Sequence, residues 1–282
     1  MKKKNKAIYL LFLMPFVYFA TACFVVWLVK TSGIYPSGSD TMYHVYRGDY
    51  VYNAIKSGNW YPLYDPAWYN GVEILRYWSP FPAYVMAFCQ YLAGGSQFGA
   101  YLFYIGGVCF LGACVWPFIG RGFNRPYLGA FIGLLWFFIP NNLCAIFIEG
   151  NLARSLSMIF LPVFIYSVYK YLYNHKLRYI PLMVFTFLLM ELCHLGYAGM
   201  AAIAVIIYGI VYMIQKGRKK AVLDVVISMI FGFMLLGIWL VASLRGGITS
   251  LDNSENMANF FQNLWITINP FERLTRGFEY FY

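Results

Sequence analysis

Apolar runs of about twenty residues recur along the whole chain, and this feature limits its fold more than any other. A run of that length can cross a hydrocarbon core of roughly 30 Å as a helix. The mean hydropathy of +0.59 and the 11% of charged residues depart from globular chains, in which about a quarter of the residues are charged. The runs cover residues 7–29, 98–119, 127–148, 155–173, 179–195, 197–215 and 221–243. The sequence therefore predicts an all-α integral membrane protein with about seven transmembrane helices.

The first run follows the basic segment MKKKNK, which is also how a secretory signal peptide begins. The letters FATAC, ending at Cys23, loosely resemble a lipoprotein cleavage site. The apolar run continues past Cys23 to a length of about twenty-three residues, whereas a signal-peptide core has about 7 to 15. An uncleaved first transmembrane helix is the favoured interpretation, and cleavage is the alternative.

The chain contains none of the usual signatures of soluble enzymes or disulfide-linked domains. It has no P-loop, no GxGxxG after a strand, no HExxH and no GxSxG. Its six cysteines lie almost wholly inside the apolar runs, without the spacing of a zinc site. We therefore expect them to pack as small apolar residues.

Basic residues cluster in short segments at alternate ends of the runs, at 2–6, 121–125, 174–178 and 216–220. Because Lys and Arg prefer the cytoplasmic side of short loops, these clusters predict a multi-pass plasma-membrane protein with a cytoplasmic amino terminus. The four clusters lie on the same side only if residues 81–93 do not cross the membrane. We therefore expect a helix there that is interfacial or re-entrant on the outer face. The positive net charge is thus a topology signal and predicts no nucleic-acid binding.

The predicted spans divide the chain into four regions. Residues 1–30 form the first transmembrane helix, and 31–97 form an extracytoplasmic loop with amphipathic or interfacial helices. Residues 98–243 form a six-helix transmembrane bundle, and 244–282 form a further extracytoplasmic segment. The first loop is rich in Trp and Tyr, which fit anchoring at the membrane interface or packing against sugar rings.

Polar residues that could carry chemistry are concentrated on the predicted outer face. Asp40, His44 and Arg47 follow an i, i+4, i+7 spacing in a predicted helix that ends near Gly58, so they share one face. The stripe fits a functional site. It also fits a solvated helix face with a local Asp–His contact and an arginine that meets lipid headgroups.

Two further groups lie on the same predicted face. Glu149, Asn151 and Arg154 lie in a tight loop, where the two charged residues belong either to a site or to a local ion pair. Glu191 and His194 lie at the outer end of the fifth run, near membrane depth, where ionisable groups usually face a polar cavity or a partner. For His194, an interhelical hydrogen bond is an equally good interpretation.

The first loop reads GSDTMYHVYR and then IKSGNWYPLYDPAWYNGVEILRYWSPFPAYV. It contains G-x-D-x-x-x-H-x-x-R, a G-x-x-x-P turn, an N-G pair and a proline-bearing aromatic segment. This pattern resembles the bacterial membrane proteins labelled 6-pyruvoyl-tetrahydropterin-synthase-related and the YfhO-like proteins, both similar to the GT-C superfamily of membrane glycosyltransferases. The later segments NLARSLSMIFLPVFIYSVY and HLGYAG are similar to the same group.

The resemblance implies a GT-C-like fold and a hexosyltransferase that moves a sugar from a polyprenyl-phosphate-linked donor to a glycan, lipid or protein acceptor. It implies that Asp40 is the catalytic residue, an acidic side chain that takes the acceptor proton as a general base, orients the acceptor or ligates a divalent metal. Arg47 or Arg154 would hold the lipid phosphate, and His194 would contact phosphate or metal. The residues expected to bind substrate are His44, Arg47, Glu149, Asn151, Arg154, Glu191 and His194.

The chain also departs from the family pattern. Asp40 and Asp49 are too far apart in sequence to form a D-x-D pair. The chain ends after the seventh predicted span, where such proteins continue, so we expect an amino-terminal fragment or a truncated member. The alternative function is a non-enzymatic transporter or lipid-binding scaffold, including an inactive truncated member. It predicts charged residues at mid-membrane depth, of which the sequence shows few.

Overall fold

The computed structural model describes residues 2–36, 38–68 and 71–246 and is helical over most of them, with no β-strand in these ranges. The α-helices are α1 (Lys2–Ser32), α2 (Thr41–Lys56), α3 (Ile74–Tyr77), α4 (Phe81–Leu92), α5 (Gln97–Gly122), α6 (Pro126–Leu135), α7 (Pro140–Leu143), α8 (Leu152–Asn174), α9 (Tyr179–Cys193), α10 (Leu195–Lys216) and α11 (Lys219–Gly246). The predicted all-α class is confirmed. The predicted segment 244–282 lies outside the described residues from position 247 onward.

Among the described residues, five helices are long and apolar enough to span a membrane. They are Phe12–Ser32 within α1, Lys219–Ser243 within α11, and the whole of α5, α8 and α10. A bent pair, Pro126–Phe138 with Pro140–Ile148, makes a sixth if its halves count as one span. Helix α9 is apolar but has only 15 residues. The seven predicted spans thus fall on five long helices, one broken helix and one short helix, and the count of seven is not confirmed.

The predicted third span, 127–148, is broken near its middle, and its halves meet at 42°. Pro140 explains the break, because proline disfavours helical backbone in the residue before it, and Ile139 is extended with ψ of 120°. A broken helix is tolerated at membrane depth where neighbouring groups satisfy the freed backbone. Here the Asn142 side-chain amide donates to the Trp136 carbonyl O at 2.9 Å.

Helix α2 forms in the first loop, where the polar stripe predicts a helix. Asp40 is its N-cap residue, and the Asp40 side chain makes no capping hydrogen bond. Gly58 follows the end of α2 with φ of +86°, a left-handed conformation that suits glycine after a helix. Gly48 lets α2 lie directly on α4, since a Cβ added there would be 2.6 Å from the Met86 Cβ.

Helix α4 matches the short helix predicted over residues 81–93, and it packs between α2 and α5. Its inner face buries Met86, Cys89 and Gln90, and the Gln90 amide donates to Asp49 Oδ1 at 2.6 Å. The opposite face is apolar and exposed. The first loop is therefore packed onto the bundle through α4.

Two apolar clusters hold the long helices together. The larger joins α1, α5, α6 and α8 and includes Tyr18, whose hydroxyl donates to the Ala130 carbonyl O at 2.8 Å. The smaller joins α8, α9, α10 and α11 around Phe164 and Met183. All six cysteines are free; three are buried, as the packing prediction expects, whereas Cys23 is exposed.

Two loops that are far apart in sequence touch backbone to backbone at one end of the bundle. The Asp40 N–H donates to the Glu149 carbonyl O at 3.0 Å. A Cβ added to Gly38 would lie 2.5 Å from the Gly150 N, and Gly150 has a left-handed φ of +66°. A side chain at either glycine would separate the loops. This glycine contact, Gly38 with Gly150, fixes the start of α2 beside the start of α8.

The two ends of the bundle carry different loops. The glycine contact lies where α8 begins, and the predicted inner loops meet where α8 ends. There Lys170 Nζ donates to the Gly122 carbonyl O at 2.6 Å, and Arg218 hydrogen-bonds His175. Helix α8 has 23 residues, which separates the two ends by about 35 Å. The predicted outer and inner loops thus lie at opposite ends.

We expect Gly150→Ala to destabilise the fold strongly. The added Cβ would lie 2.6 Å from the Thr41 N, and φ of +66° disfavours a side chain. Gly33→Ala is the matched control, since Gly33 has φ of +70° and no atom within 4 Å of an added Cβ. Thermal melting in detergent should show a loss of about 1 to 2 kcal/mol for the control and about 2 to 5 kcal/mol for Gly150→Ala. Equal losses in the two variants would show that the loops do not depend on their contact.

Candidate functional site

A cavity of about 630 Å³ lies at the end of the bundle where the two loops touch. Side chains from α2, from the start of α8, from the junction of α9 and α10 and from α11 line it. Five of the eight predicted site residues are among them: Asp40, His44, Arg47, Asn151 and His194. The structure therefore brings together residues that lie more than 100 positions apart in the sequence.

Asp40 contributes a half-buried carboxylate to the cavity. Its Oδ1 accepts a hydrogen bond from the Ser39 hydroxyl at 3.2 Å, and the Ser39 hydroxyl is 3.1 Å from the Glu149 carbonyl O. No ion pair involves Asp40 in the described part of the chain. Since this carboxylate does not cap α2 either, most of its hydrogen-bonding capacity is left for a ligand.

Arg47 is 1% exposed and lines the same cavity. Its Nη2 donates to three backbone carbonyl oxygens, those of Trp78 at 3.1 Å, Ser79 at 3.3 Å and Ile74 at 3.5 Å. No carboxylate in the described ranges pairs with it, and its Nε has no hydrogen-bond partner there. Burial lowers the pKa of Arg47, yet a guanidinium remains charged in proteins. The cavity thus has a buried positive charge that forms no ion pair within the described ranges, and the Asp40 carboxylate lines the same cavity.

Burial keeps His44 neutral. Removal from water lowers the pKa of His44 to about 3, and the positive charge of Arg47 lowers it further. His44, Arg47 and His194 all line the cavity. The alternative interpretation placed Arg47 against lipid headgroups. The structure instead covers the Arg47 side chain with the first-loop segment before α4.

Asn151 and His194 are the N-cap residues of two long helices. The Asn151 Oδ1 accepts from the Arg154 N–H at the start of α8 at 2.9 Å. The His194 Nδ1 accepts from the Tyr197 N–H at the start of α10 at 3.0 Å. The remaining nitrogens of the two side chains, Asn151 Nδ2 and His194 Nε2, face each other at 3.5 Å. Because the His194 Nδ1 accepts from a backbone N–H, it carries no proton, and the imidazole is neutral.

Glu149 and Arg154 form the ion pair that the sequence left as one of two interpretations. Arg154 Nη1 lies 2.7 Å from Glu149 Oε2, and Arg154 Nη2 donates to Glu149 Oε1 at 3.1 Å. The two charges therefore neutralise each other beside the cavity. Arg154 is the weaker candidate for holding a phosphate, because Arg47 has no such partner.

Glu191 is buried in the last turn of α9 and is 1% exposed. Its Oε2 has no hydrogen-bond partner among the described residues, and its backbone O accepts from the Ser79 hydroxyl at 2.9 Å. It is not part of the cavity lining. The i to i+3 spacing with His194 does not bring both side chains to one site, because the chain leaves the helix at His194, where φ is −155°.

A second, largely apolar cavity of about 460 Å³ lies between α5, the broken span and α8. Its walls include Trp116, Trp136, Met158 and Ile165. Residues 194–196 line the first cavity and Tyr197 lines the second, so the start of α10 contributes to both. A polar chamber is therefore adjacent to an apolar groove along the helices.

A comparison with protein families agrees with the resemblance in the sequence. A family model described as 6-pyruvoyl-tetrahydropterin synthase related domain, a membrane protein, matches residues 75–282. The chain belongs to this family. Asp40 and Arg47 precede the matched region, whereas His194 lies inside it. No curated protein and no solved structure matches the chain.

The cavity of this 6-pyruvoyl-tetrahydropterin synthase related protein also has an aromatic wall. The Tyr43 ring lies 5.2 Å from the Trp68 ring and 5.0 Å from the Trp78 ring, measured between centroids. Trp239 of α11 completes the lining, and its Nε1 donates to the Leu75 carbonyl O at 2.7 Å. Sequence reasoning missed Trp239, since it lies in an ordinary apolar run with no local signal of a site.

The described residues contain no group of three or more His, Cys, Asp or Glu side chains placed to hold a metal ion. Near the cavity, Glu149 is already committed to Arg154, and the His194 Nδ1 is committed to its helix cap. Among the described residues, Asp40 is the one acidic side chain in the cavity lining.

We expect the stability of this family member to fall as the pH drops below about 6.5. An unfolded histidine has a pKa of about 6.5, whereas the folded pKa of His44 is about 3, so the unfolded chain binds more protons in this window. The stability that neutral His44 contributes is fully present above pH 6.5. Below that pH, the free energy of unfolding falls by up to about 1.4 kcal/mol per pH unit. Melting temperatures at pH 7 and pH 5 should differ less in His44→Gln than in wild type. His175→Gln, at the opposite end, serves as the control, and an unchanged slope in His44→Gln would contradict the assignment.

Proposed function

We propose that the chain is a membrane glycosyltransferase that moves a sugar from a polyprenyl-phosphate-linked donor to an extracytoplasmic acceptor. The observation that carries this proposal is the buried Arg47, which has no carboxylate partner among the described residues and lines the same cavity as Asp40. A buried charge is costly unless an opposite charge completes it. Phosphate is an anion that the planar guanidinium fits well, through paired hydrogen bonds.

The chemistry needs a base for the acceptor and a cation for the leaving group. Asp40 accepts the proton of the acceptor hydroxyl while the hydroxyl oxygen bonds to the anomeric carbon of the sugar. The bond from that carbon to the phosphate oxygen breaks, and the phosphate leaves with the electron pair. Arg47 meets the negative charge that grows on the phosphate. Asp40 and Arg47 are seven residues apart, which is about 10 Å along α2, enough to place a sugar between them.

The surrounding walls suit the rest of the donor. The aromatic wall of Tyr43, Trp68 and Trp78 offers flat surfaces on which a sugar ring packs. The neighbouring apolar cavity offers a path for the first isoprene units of the lipid. A lipid-linked donor would then lie across the start of α10, with its phosphate in the polar chamber and its tail in the groove.

The proposed orientation follows from the basic loops. The segments 174–178 and 216–220 lie at the end opposite the cavity, and such clusters prefer the cytoplasmic side. The cavity then faces outward in a plasma-membrane protein. Residues 31–97 form the extracytoplasmic loop in this scheme, and residues 98–243 form the transmembrane bundle. The acceptor is a glycan, a lipid or a protein outside the cytoplasm.

A transporter is the alternative, and its main expectation is charge at mid-membrane depth. Within the described side chains of the candidate spans and α9, Asp, Glu, Lys and Arg all lie in the first or last two turns. The deepest acid of α11, Asp224, accepts from the Tyr171 hydroxyl at 2.5 Å at the basic end. This distribution supports an enzyme over a transporter. A lipid-binding protein without catalysis is separated from the enzyme by the variants below.

We expect Asp40→Asn to abolish sugar transfer while donor binding and melting temperature stay near those of wild type. The amide keeps the size of the carboxylate and cannot take the acceptor proton. Asp49→Asn is the matched control, because Asp49 lies on the same helix, outside the cavity lining, and bonds to Gln90. Transfer is measured with the full chain in lipid nanodiscs and a radiolabelled polyprenyl-phosphate sugar.

Undiminished transfer by Asp40→Asn would rule out Asp40 as the base. Loss of transfer in both variants would show that the assay reports the integrity of α2 and not the chemistry of one carboxylate. Donor binding by the wild type with no transfer to any acceptor would favour the lipid-binding alternative.

A further inference from the structure

Two helices start at the cavity with their cap side chains turned toward each other. Asn151 caps α8 through Oδ1, and His194 caps α10 through Nδ1. Each side chain thus uses its acceptor atom on its own helix. What remains between them is Asn151 Nδ2 and His194 Nε2, which are 3.5 Å apart.

Both remaining atoms are hydrogen-bond donors. A neutral imidazole has one N–H, and because the Nδ1 of His194 accepts from Tyr197, the proton must be on Nε2. The Asn151 amide presents its NH₂ group, which only donates. Turning this amide over would set the NH₂ against the Arg154 N–H, and protonating His194 would set a second N–H against Tyr197. Every assignment leaves one donor too many.

An oxygen acceptor resolves this excess of donors. Two nitrogens 3.5 Å apart can both donate to a single oxygen at about 2.9 Å from each. Helices α8 and α10 both begin at this contact, and the N-terminus of a helix favours negative charge. Arg47, which is 1% exposed and lacks a carboxylate partner in the described ranges, supplies an independent reason for an anion in this cavity.

We propose that Asn151 and His194 form an oxyanion subsite, in which the Asn151 amide and the His194 Nε2–H donate to one oxygen of a bound phosphate. The subsite rests on the proposed function for the identity of its ligand, the phosphate of a lipid-linked donor. His194 is a fixed neutral donor here. It is neither a base nor a metal ligand, because both roles need an unprotonated Nε2 and therefore a proton on Nδ1, which would break the cap of α10.

In the proposed subsite, each cap residue has two separate roles: it caps its helix with one atom and donates to the ligand with another. Serine caps a helix as well as asparagine does but has no second group to offer the cavity. Substitution by serine at either position therefore keeps the helix start and removes only the donor. That separation makes the proposal testable without loss of the fold.

The test measures binding of a C15 prenyl monophosphate to the full chain in nanodiscs, with the prenyl alcohol of equal length for comparison. We expect His194→Ser and Asn151→Ser each to weaken phosphate binding about 10-fold or more, with binding of the alcohol and melting temperature unchanged. Ser96→Ala, which removes the cap of α5 away from the cavity, should leave phosphate binding intact.

Inorganic phosphate is then added as a competitor. Displacement of the prenyl phosphate would show that the subsite recognises the phosphate itself, and lack of displacement would show that it needs the lipid as well; both support a phosphate subsite. Wild-type affinity for the prenyl phosphate in both serine variants would overturn the proposal, since water alone would then satisfy the two donors. Equal binding of phosphate and alcohol by the wild type would overturn it too.

The proton position gives a readout that does not depend on folding variants. Nitrogen-15 NMR of labelled histidine, assigned by the signal lost in His194→Ser, should show the proton on Nε2 and a shift of that nitrogen when prenyl phosphate binds. A proton on Nδ1 would overturn the subsite. The subsite and the proposed function fail separately, because phosphate binding through these donors without sugar transfer would retain the first and remove the second.

Discussion

The contact between Gly38 and Gly150 is the constraint on which the rest of the site depends. It lets the backbone of the first loop hydrogen-bond that of the loop before α8, through the Asp40 N–H and the Glu149 carbonyl O. The start of α2 is thereby fixed against the start of α8. Because α2 is a rigid helix, this one contact also sets where His44 and Arg47 lie relative to α8 and α10. The two glycines thus determine where the His44 and Arg47 side chains lie.

The burial of the Arg47 charge is energetically costly, and it is the main electrostatic feature of the cavity. Three backbone carbonyl oxygens satisfy part of its guanidinium, but dipoles do not neutralise a full charge in a medium of low dielectric. Nearby, Glu149 and Arg154 compensate each other and leave the local charge balance unchanged. The charged side chains of the chamber lining are the half-buried Asp40 carboxylate and the buried Arg47 guanidinium, which form no ion pair with each other. Functional sites commonly retain such strain, because the ligand relieves it.

The sequence predicts the parts of this arrangement that depend on local pattern. The apolar runs predict the helical membrane class, the i, i+4, i+7 spacing predicts helix α2 with its stripe, and the first-loop motif predicts the family. The basic loops also predict that Asp40, Asn151 and His194 lie at one end, which the structure shows. Pro140 indicates a break in the third span, but hydropathy alone predicts a single continuous span because the run 127–148 is long and apolar.

The features that sequence did not supply depend on packing between distant segments. Spacing cannot tell whether Arg47 faces headgroups or protein, because its burial requires the segment before α4 to fold over it. Spacing also suggests a shared site for Glu191 and His194, yet the break in helix at His194 directs them apart. Trp239 reaches the cavity from the last helix, where it lies among ordinary apolar residues. Only the folded chain shows these neighbours.

We propose that polar residues distant in sequence meet around one anion-binding chamber next to an apolar groove. The decisive measurement is an experimental structure of the full chain in nanodiscs with a bound polyprenyl phosphate. We expect its headgroup to lie within hydrogen-bonding distance of the Arg47 guanidinium, beside Asp40, with the lipid tail along α8. A headgroup found at the basic end near Lys219 and Lys220, with none in the chamber, would contradict it.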